Sequence, residues 1–355
     1  MTRLIEILIS LAIVAVLFTA VGILLPSSRH LAHAVETNRK LPIVFDTLNS
    51  VRRFKEWNLA VAGDPKIKLA YTGPDQGVGA KVSWDSEEPA LGQGSWEITQ
   101  SEPGKRVAYA IQDIDRGFDK KSEFILKPTG KNGRNIEITQ TYDVDYGWNL
   151  LNRYSGLYVS SNVGEEMKAG LSRLTNMLAT IPNLDYTVLG KDDPSMAPRI
   201  MERPAQNLLV LTAAVPRSDA TIQAQIKTNL EWIKKNIAAN GLEAVGPVRV
   251  ITNEFGEMYS FDVAQEVRKP GSTGKLTGLN LTNNVELAYS EPQRVAVVPY
   301  TGHYSNLQGV RDALRAWAMT RGYEPTERAY DIWKGGIDAG FTGQEGTYDV
   351  VWAIN

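Results

Sequence analysis

Hydrophobic and polar positions fall into successive patterns along the chain. Between Ile7 and Leu25 no residue carries a charge. At about 1.5 Å per residue, a helix over that run is roughly 29 Å long, close to the ~30 Å hydrocarbon thickness of a bilayer. A helix that is apolar all round at a chain terminus needs a core on every side to be an ordinary buried helix, so the pattern predicts a membrane-spanning segment.

Beyond it the periodicity is that of a folded body. The chain runs extended from Ala34 until Pro42 opens a helix, the position where its missing N–H costs least; Val44, Phe45, Leu48 and Val51 form the apolar stripe and Trp57 follows. From residue 66 to 145 the pattern becomes short alternating runs, predicting strands at 67–71, 79–84, 95–98, 105–114, 122–126 and 135–143. Turn residues separate them: Gly73-Pro74-Asp75-Gln76-Gly77, Gly92-Gln93-Gly94, Glu102-Pro103-Gly104 and a hairpin from Thr129 to Gly133. A long helix then presents Val163, Met167, Leu171, Leu174 and Leu178 on one face, with Asn162 and Glu165 as an N-terminal capping pair.

Residues 182–204 contain Pro182, Pro194, Pro198 and Pro204 and the turn Gly190-Lys191-Asp192-Asp193, which predicts a linker with one short strand at 186–189. From Gln206 a strand–helix–strand–strand unit occurs twice. The first copy has a strand at 208–215, a helix at 218–239 striped by Ile222, Ile226, Leu230, Ile233 and Ile237, and strands at 248–252 and 258–263. The second has a strand at 294–299, a helix striped by Leu307, Val310, Leu314 and Trp317, and strands at 330–333 and 347–354. Gly241 and Gly322 sit at equivalent helix exits, where a left-handed cap suits glycine. The expectation is an α+β chain: a transmembrane segment and spacer at 1–33, a domain at 34–181, a linker at 182–203 and a second domain at 204–355.

Composition narrows the function classes. The 355 residues are 43% hydrophobic and 22% charged, as in a folded globular chain. Net charge −2 without a basic block leaves no electrostatic footprint for nucleic acid, so none is expected as a partner. The absence of cysteine excludes disulfides, thiolate catalysis and cysteine-ligated metals. The histidines His30, His33 and His303 are too scattered for a metal site, so neither metal nor cofactor is expected; the first two read as solvated spacer.

Two readings of the N-terminus stay open. Ala32-His33-Ala34 is a small-x-small cleavage motif, but the apolar run exceeds the roughly 7–15 residues of a signal peptide, which favours a retained anchor. Arg29, Arg39, Lys40, Arg52 and Arg53 follow the run, and a literal positive-inside count puts the body in the cytoplasm. A folded domain translocates regardless of such charge, and the short tail with Arg3 looks like an export n-region, so the body is expected outside the cytoplasm.

Several stretches carry a family resemblance. Pro42-Ile43-Val44-Phe45 with Trp57, Gly77-Val78-Gly79-Ala80 with Trp84, Gly92-Gln93-Gly94-Ser95-Trp96-Glu97-Ile98 and the amphipathic helix ending near Leu178 resemble the START-like, polyketide-cyclase-like helix-grip domains of the SRPBCC superfamily. The resemblance implies an apolar cavity between helix and curved sheet, suited to hydrophobic small molecules. Val295-Ala296-Val297-Val298-Pro299-Tyr300-Thr301-Gly302-His303-Tyr304 and the closing strand from Tyr348 to Ile354 resemble the gyrase-inhibitor-like, AraC-type effector-binding domains. That family implies a groove between the two halves that binds aromatic or cationic molecules against an acidic residue. Asp349 is the nearest match to that acid, a methylene shorter than the usual glutamate.

Candidate site residues follow from both readings. Trp84, Trp96 and Tyr109 lie on strands able to face the first cavity, although strand aromatics also serve as plain core. Asp113 and Asp115 read as turn and surface acids. The glycine pairs at 77/79 and 92/94 lack a third glycine and a following helix, so they mark bulges or close approach and not a phosphate cradle. In the second domain Asp349 among Tyr300, Tyr304, Trp333 and Trp352 suits a cation or aromatic amine; the alternative puts Asp349 on an exposed strand face and the aromatics in the core. His303 reads as a turn residue. The expected function is a membrane-anchored, non-enzymatic binder of small hydrophobic or amphipathic molecules. The alternatives are a hydrolase acting on a bound small molecule through Asp349 or a neighbouring acid with an ordered water, or a protein-binding scaffold.

Overall fold

In the computed structural model, which describes residues 2–255, 257–272, 274–343 and 345–355, the apolar run is a helix, α1 (Thr2–Leu24). Within Arg3–Leu24 an 18-residue stretch has a mean hydropathy of 2.9 and only 6% of it is buried, so α1 is long and apolar enough to cross a membrane. The chain divides into two compact units, Met1–Asn183 with Thr320–Gly322, and Leu184–Met319 with Tyr323–Asn355.

After α1 the first unit contains β1 (Ser28–Thr37), α2 (Leu41–Leu48), the short helices α3 (Phe54–Trp57) and α4 (Leu59–Ala62), then β2 (Lys68–Thr72), β3 (Lys81–Asp85), β4 (Gln93–Glu102), β5 (Arg106–Gln112), β6 (Phe118–Thr129) and β7 (Asn135–Asp145). It closes with α5 (Leu150–Ser155) and α6 (Val163–Ala179). The strands form one antiparallel sheet in the order β1-β7-β6-β5-β4-β3-β2. Its long hairpin turns at Gly130 and Gly133, whose φ values of 70° and 64° lie in the left-handed region that favours glycine. The predicted stripe of α6 is buried through Met167, Leu171, Leu174 and Leu178, and the helix lies against β1, α3 and α4.

Two local expectations change. The spacer before residue 34 is part of β1, paired along its length with β7 from Ser28 opposite Asp145 to Thr37 opposite Ile136. As an edge strand with one half-covered face it alternates Arg29 and His33 with Leu31 and Val35, too shallow a contrast to read as a strand. The Asn162–Glu165 capping pair does not form. Asn162 has helix-region backbone angles (φ −92°, ψ −75°), unlike the extended cap geometry that aims a side chain at the first turn, and Glu165 pairs with Lys168 at 2.7 Å.

The second unit runs β8 (Arg199–Arg203), β9 (Gln206–Pro216), α7 (Asp219–Ala239), β10 (Glu243–Phe255), β11 (Met258–Arg268), β12 (Glu286–Ser290), β13 (Gln293–Thr301), α8 (Leu307–Thr320), β14 (Tyr330–Trp333), α9 (Gly336–Phe341) and β15 (Thr347–Ile354). Its antiparallel sheet has the order β12-β9-β11-β10-β14-β15-β13-β8. The duplicated β-α-β-β unit is explicit there: β9-β11-β10 and β14-β15-β13 are the same arrangement reversed, joined edge to edge through β10 and β14. The architecture is thus α+β, with an apolar N-terminal helix, a curved antiparallel sheet gripping α6, and a duplicated second sheet.

The expected strand at 186–189 is a 3-10 turn, Tyr186–Val188, in which Asp185 accepts from the Thr187 N–H at 2.9 Å. Asp193 repeats the arrangement with the Ser195 N–H at 2.9 Å, and such side-chain turns compete with extended backbone. Strands β8 and β12 and helix α9 add to the predicted elements; the first two are short edge strands.

Candidate functional site

Aromatic residues on consecutive strands of the first sheet meet those of α3. The rings of Trp96 and Tyr109 are 5.3 Å apart, Phe54 and Trp96 5.1 Å, and Trp57 stands edge-on to Trp96 at 6.1 Å and to Phe124 at 5.5 Å. Gly94 is required here, because a Cβ would come within 2.2 Å of the Trp84 ring lying over β4. Beside this cluster lies a cavity of about 120 Å³, walled by Trp57, Trp84, Trp96, Ile111, Tyr142 and Met167.

Two features mark the cavity. The indole N–H groups of Trp57 and Trp84 are buried, with the residues 3% and 7% exposed, and find no acceptor among the described residues. Buried indoles ordinarily do. The rim carries Asp113, Asp115 and Glu166. Asp113 is held by the buried ammonium of Lys120, which also donates to the Asp115 carbonyl at 2.7 Å. Burial first, then the charges of Asp115 and Asp113, raises the Glu166 carboxyl above its ordinary range. Burial and Asp113 raise Asp115 likewise, against the pull of Lys120. Burial, followed by Asp113, pushes the Tyr142 phenol far up. Carboxylates disfavoured in this way are stabilised by an incoming cation.

A second cavity of about 210 Å³ lies over β11 and β14, beside the first turns of α7 and α8. Asp331, fully buried on β14, accepts from Arg311 Nε at 3.1 Å and from its Nη2. Burial raises the Asp331 carboxyl and the facing guanidinium opposes it. Tyr304 donates its hydroxyl to Asp219 at 2.5 Å, and its ring lies 4.2 Å from Phe341 and 6.4 Å from Trp333. The buried Trp333 indole has no acceptor among the described residues.

No family model matches the chain, and no curated protein matches it. Among solved structures it is similar to the C-terminal domain of EcmrR at 17% identity and TM-score 0.35, over 44% of this chain and 96% of that one. It is similar to truncated norcoclaurine synthase from Thalictrum flavum at 14% identity and TM-score 0.34, over 42% of this chain and 93% of that one. Protein CV1439 from Chromobacterium violaceum is similar at 13% identity and TM-score 0.32, over 43% of this chain and 98% of that one.

The residues singled out from the sequence distribute unevenly. Trp84 and Trp96 line the first cavity, whereas Tyr109 lies behind it in the core, its hydroxyl donated to the Leu48 carbonyl. Tyr304 and Trp333 line the second cavity. Tyr300 stacks on Tyr348 at 6.0 Å and borders a separate open groove; Trp352 donates its indole N–H to the Arg311 carbonyl at 3.0 Å. His303 accepts from the Ser305 N–H at 3.3 Å, capping a turn.

Asp349 does not share the aromatic cavity. Across the β14–β15 ladder it stands opposite Ile332, while Tyr348 stands opposite Trp333 and Val350 opposite Asp331. Partners in register share a face, so Asp349 points with Ile332 and Val351, away from Trp333 and Tyr348. It is 2.7 Å from Lys334 Nζ. The acid among the aromatics is Asp331. Strand β15 is buried on both faces, and such a strand does not show by its pattern which side faces a cavity. In the first unit Glu166 on α6 meets Asp113 and Asp115, which follow β5, from a distant part of the chain. The one signal available for them was Glu166 standing beside Met167 on a predicted buried stripe.

Proposed function

We propose that the chain is a membrane-tethered binder of small amphipathic molecules, with its primary site in the cavity of the first unit. The observation that carries this reading is one cavity lined by Trp57 and Trp84, whose buried indole N–H groups have no partner among the described residues, with an acidic rim. A dry engineered cavity of about 150 Å³ takes up benzene. A cavity of about 120 Å³ therefore suits one ring or a short chain and is too small for a two-tailed lipid. The indoles favour an acceptor on the ligand, and the rim favours an amine at its other end.

The helix-grip and gyrase-inhibitor-like resemblances, with domains near 34–181 and 204–355, support a binding role for each unit. In the second cavity Arg311 already neutralises Asp331, which favours an uncharged aromatic molecule there. The length and composition of α1 support a tether. Cleavage after Ala34 would remove most of β1 and leave β7 without its outer partner, which supports retention of the segment. The body belongs outside the cytoplasm on the n-region reading, and a reporter fused to the C-terminus tests that side.

The binding reading is tested on the full chain in nanodiscs. Phenethylamine should quench tryptophan fluorescence saturably, and native mass spectrometry should show one or two bound molecules released unchanged. Absence of saturable binding to both phenethylamine and uncharged aromatics of that size would sink it, and turnover would convert the binder into an enzyme.

A further inference from the structure

Helix α1 is docked against the first unit through α5. Tyr154 stacks on Phe18 with ring centroids 4.3 Å apart and donates its hydroxyl to the Phe18 carbonyl at 2.7 Å. A Cβ on Gly22 would lie 3.1 Å from the Leu150 Cβ, so α5 packs on the helix backbone itself. Arg153 donates to the carbonyls of Ile23 and Leu25 at 3.1 and 3.2 Å. Phe18 and Gly22 lie inside the charge-free run, and at about 1.5 Å per residue Phe18 stands roughly 10 Å before its end. A bilayer that holds α1 by this run also holds α5, at the depth of the last two helical turns.

The surface around α5 matches that depth. Trp148 is 82% exposed, Leu151 57%, Leu157 50% and Tyr158 65%. Exposed large apolar side chains gathered within eleven residues of chain are of the kind that marks an interaction surface. Tryptophan and tyrosine are enriched where hydrocarbon meets headgroups. The one cation among them does not face outward: Arg153 is buried, turned to the α1 carbonyls and set 5.0 Å from the Trp148 ring.

We propose that residues 148–158 form a second membrane contact, a segment embedded in the bilayer interface beside α1. The proposal rests on the tether reading of α1. Helix α6, whose Val163, Glu166 and Met167 line the first cavity, begins shortly after Tyr158. The interface thus holds the cavity rim close to the layer in which amphipathic molecules concentrate.

Because the chain has no cysteine, single-cysteine variants of the full chain each carry one spin label. Leu151→Cys and Tyr158→Cys report the segment, Val14→Cys reports α1, and Lys131→Cys reports a hairpin tip in water. In vesicles of phosphatidylcholine and phosphatidylglycerol, labels at 151 and 158 should be several-fold less accessible to a water-soluble nickel chelate than the label at 131, and more accessible to oxygen. Nickel accessibility at 151 and 158 equal to that at 131, with the label at 14 shielded, overturns the interfacial contact and leaves the tether standing. An accessible label at 14 overturns both.

Discussion

Arg153 closes the end of the apolar helix: its Nη1 donates to the carbonyl of Ile23 at 3.1 Å. A helix leaves its last four carbonyls without partners, and near hydrocarbon such groups have no water to turn to. The same side chain bonds the Leu25 carbonyl at 3.2 Å and, through Nε, the Gly147 carbonyl at 2.8 Å. Arg153→Leu should therefore lower the unfolding free energy of the full chain in detergent by about 2–4 kcal/mol, since bonds to charged groups contribute roughly 1.5–3 kcal/mol each and do not add fully. Arg153→Lys, lacking the planar fork, should recover only part of it. An unchanged denaturation midpoint in Arg153→Leu contradicts the cap.

The cavity rim predicts a pH dependence. Burial and the neighbouring Asp115 and Asp113 raise Glu166 above its ordinary value of 4.5. The folded chain then holds a proton that the unfolded chain has released, so this group's contribution favours folding most in acid and declines as pH rises from about 4.5 through the raised value. A bound amine stabilises the ionised carboxylate. Affinity for phenethylamine should rise with pH across that window, with protons released on binding. Calorimetry in buffers of different ionisation enthalpy measures the release; Glu166→Gln should reduce both trends, and Asp115, raised by burial and Asp113, carries what remains. Affinity that falls across the window would remove Glu166 from the site.

The Trp84 indole N–H separates a ligand contact from a structural one. It has no acceptor among the described residues, so Trp84→Phe removes no hydrogen bond made by them, and stability should change by only about 1 kcal/mol through the smaller ring. A ligand that accepts from it should lose about 2- to 10-fold in affinity, the equivalent of one neutral hydrogen bond. Titration and urea unfolding of the same variant give both numbers. A large stability loss with unchanged binding would make the indole a core group.

These groups also show where sequence reading stops. The first sheet was legible because its turns have chemical causes: Gly130 and Gly133 take positive φ, and the runs between turns alternate. The repeat was legible because Gly241 and Gly322, with φ of 59° and 81°, cap equivalent helices. The carboxylates of Asp113, Asp115 and Glu166 meet only because α6 lies across the sheet, and no local pattern encodes that crossing. The neighbouring β-strand acids, one on β14 and one on β15, pose a different difficulty. A shift of one residue moves a side chain to the other face, and strands apolar on both faces hide the shift.

Asp331 and Asp349 therefore make contrasting predictions. Asp331 is fully buried against Arg311, and Asp331→Asn leaves a buried guanidinium without its counter-charge, a change that costs about 3–5 kcal/mol in comparable pairs. The double variant Arg311→Met with Asp331→Leu removes both charges and should recover most of that loss. Asp349 faces a half-exposed Lys334, so Asp349→Asn should cost no more than about 1 kcal/mol. Urea unfolding of the three variants orders them. Binding of an uncharged aromatic molecule in the second cavity should weaken in Asp331→Asn and persist in Asp349→Asn. The reverse order would place the carboxylate of Asp349, and not that of Asp331, beside Trp333.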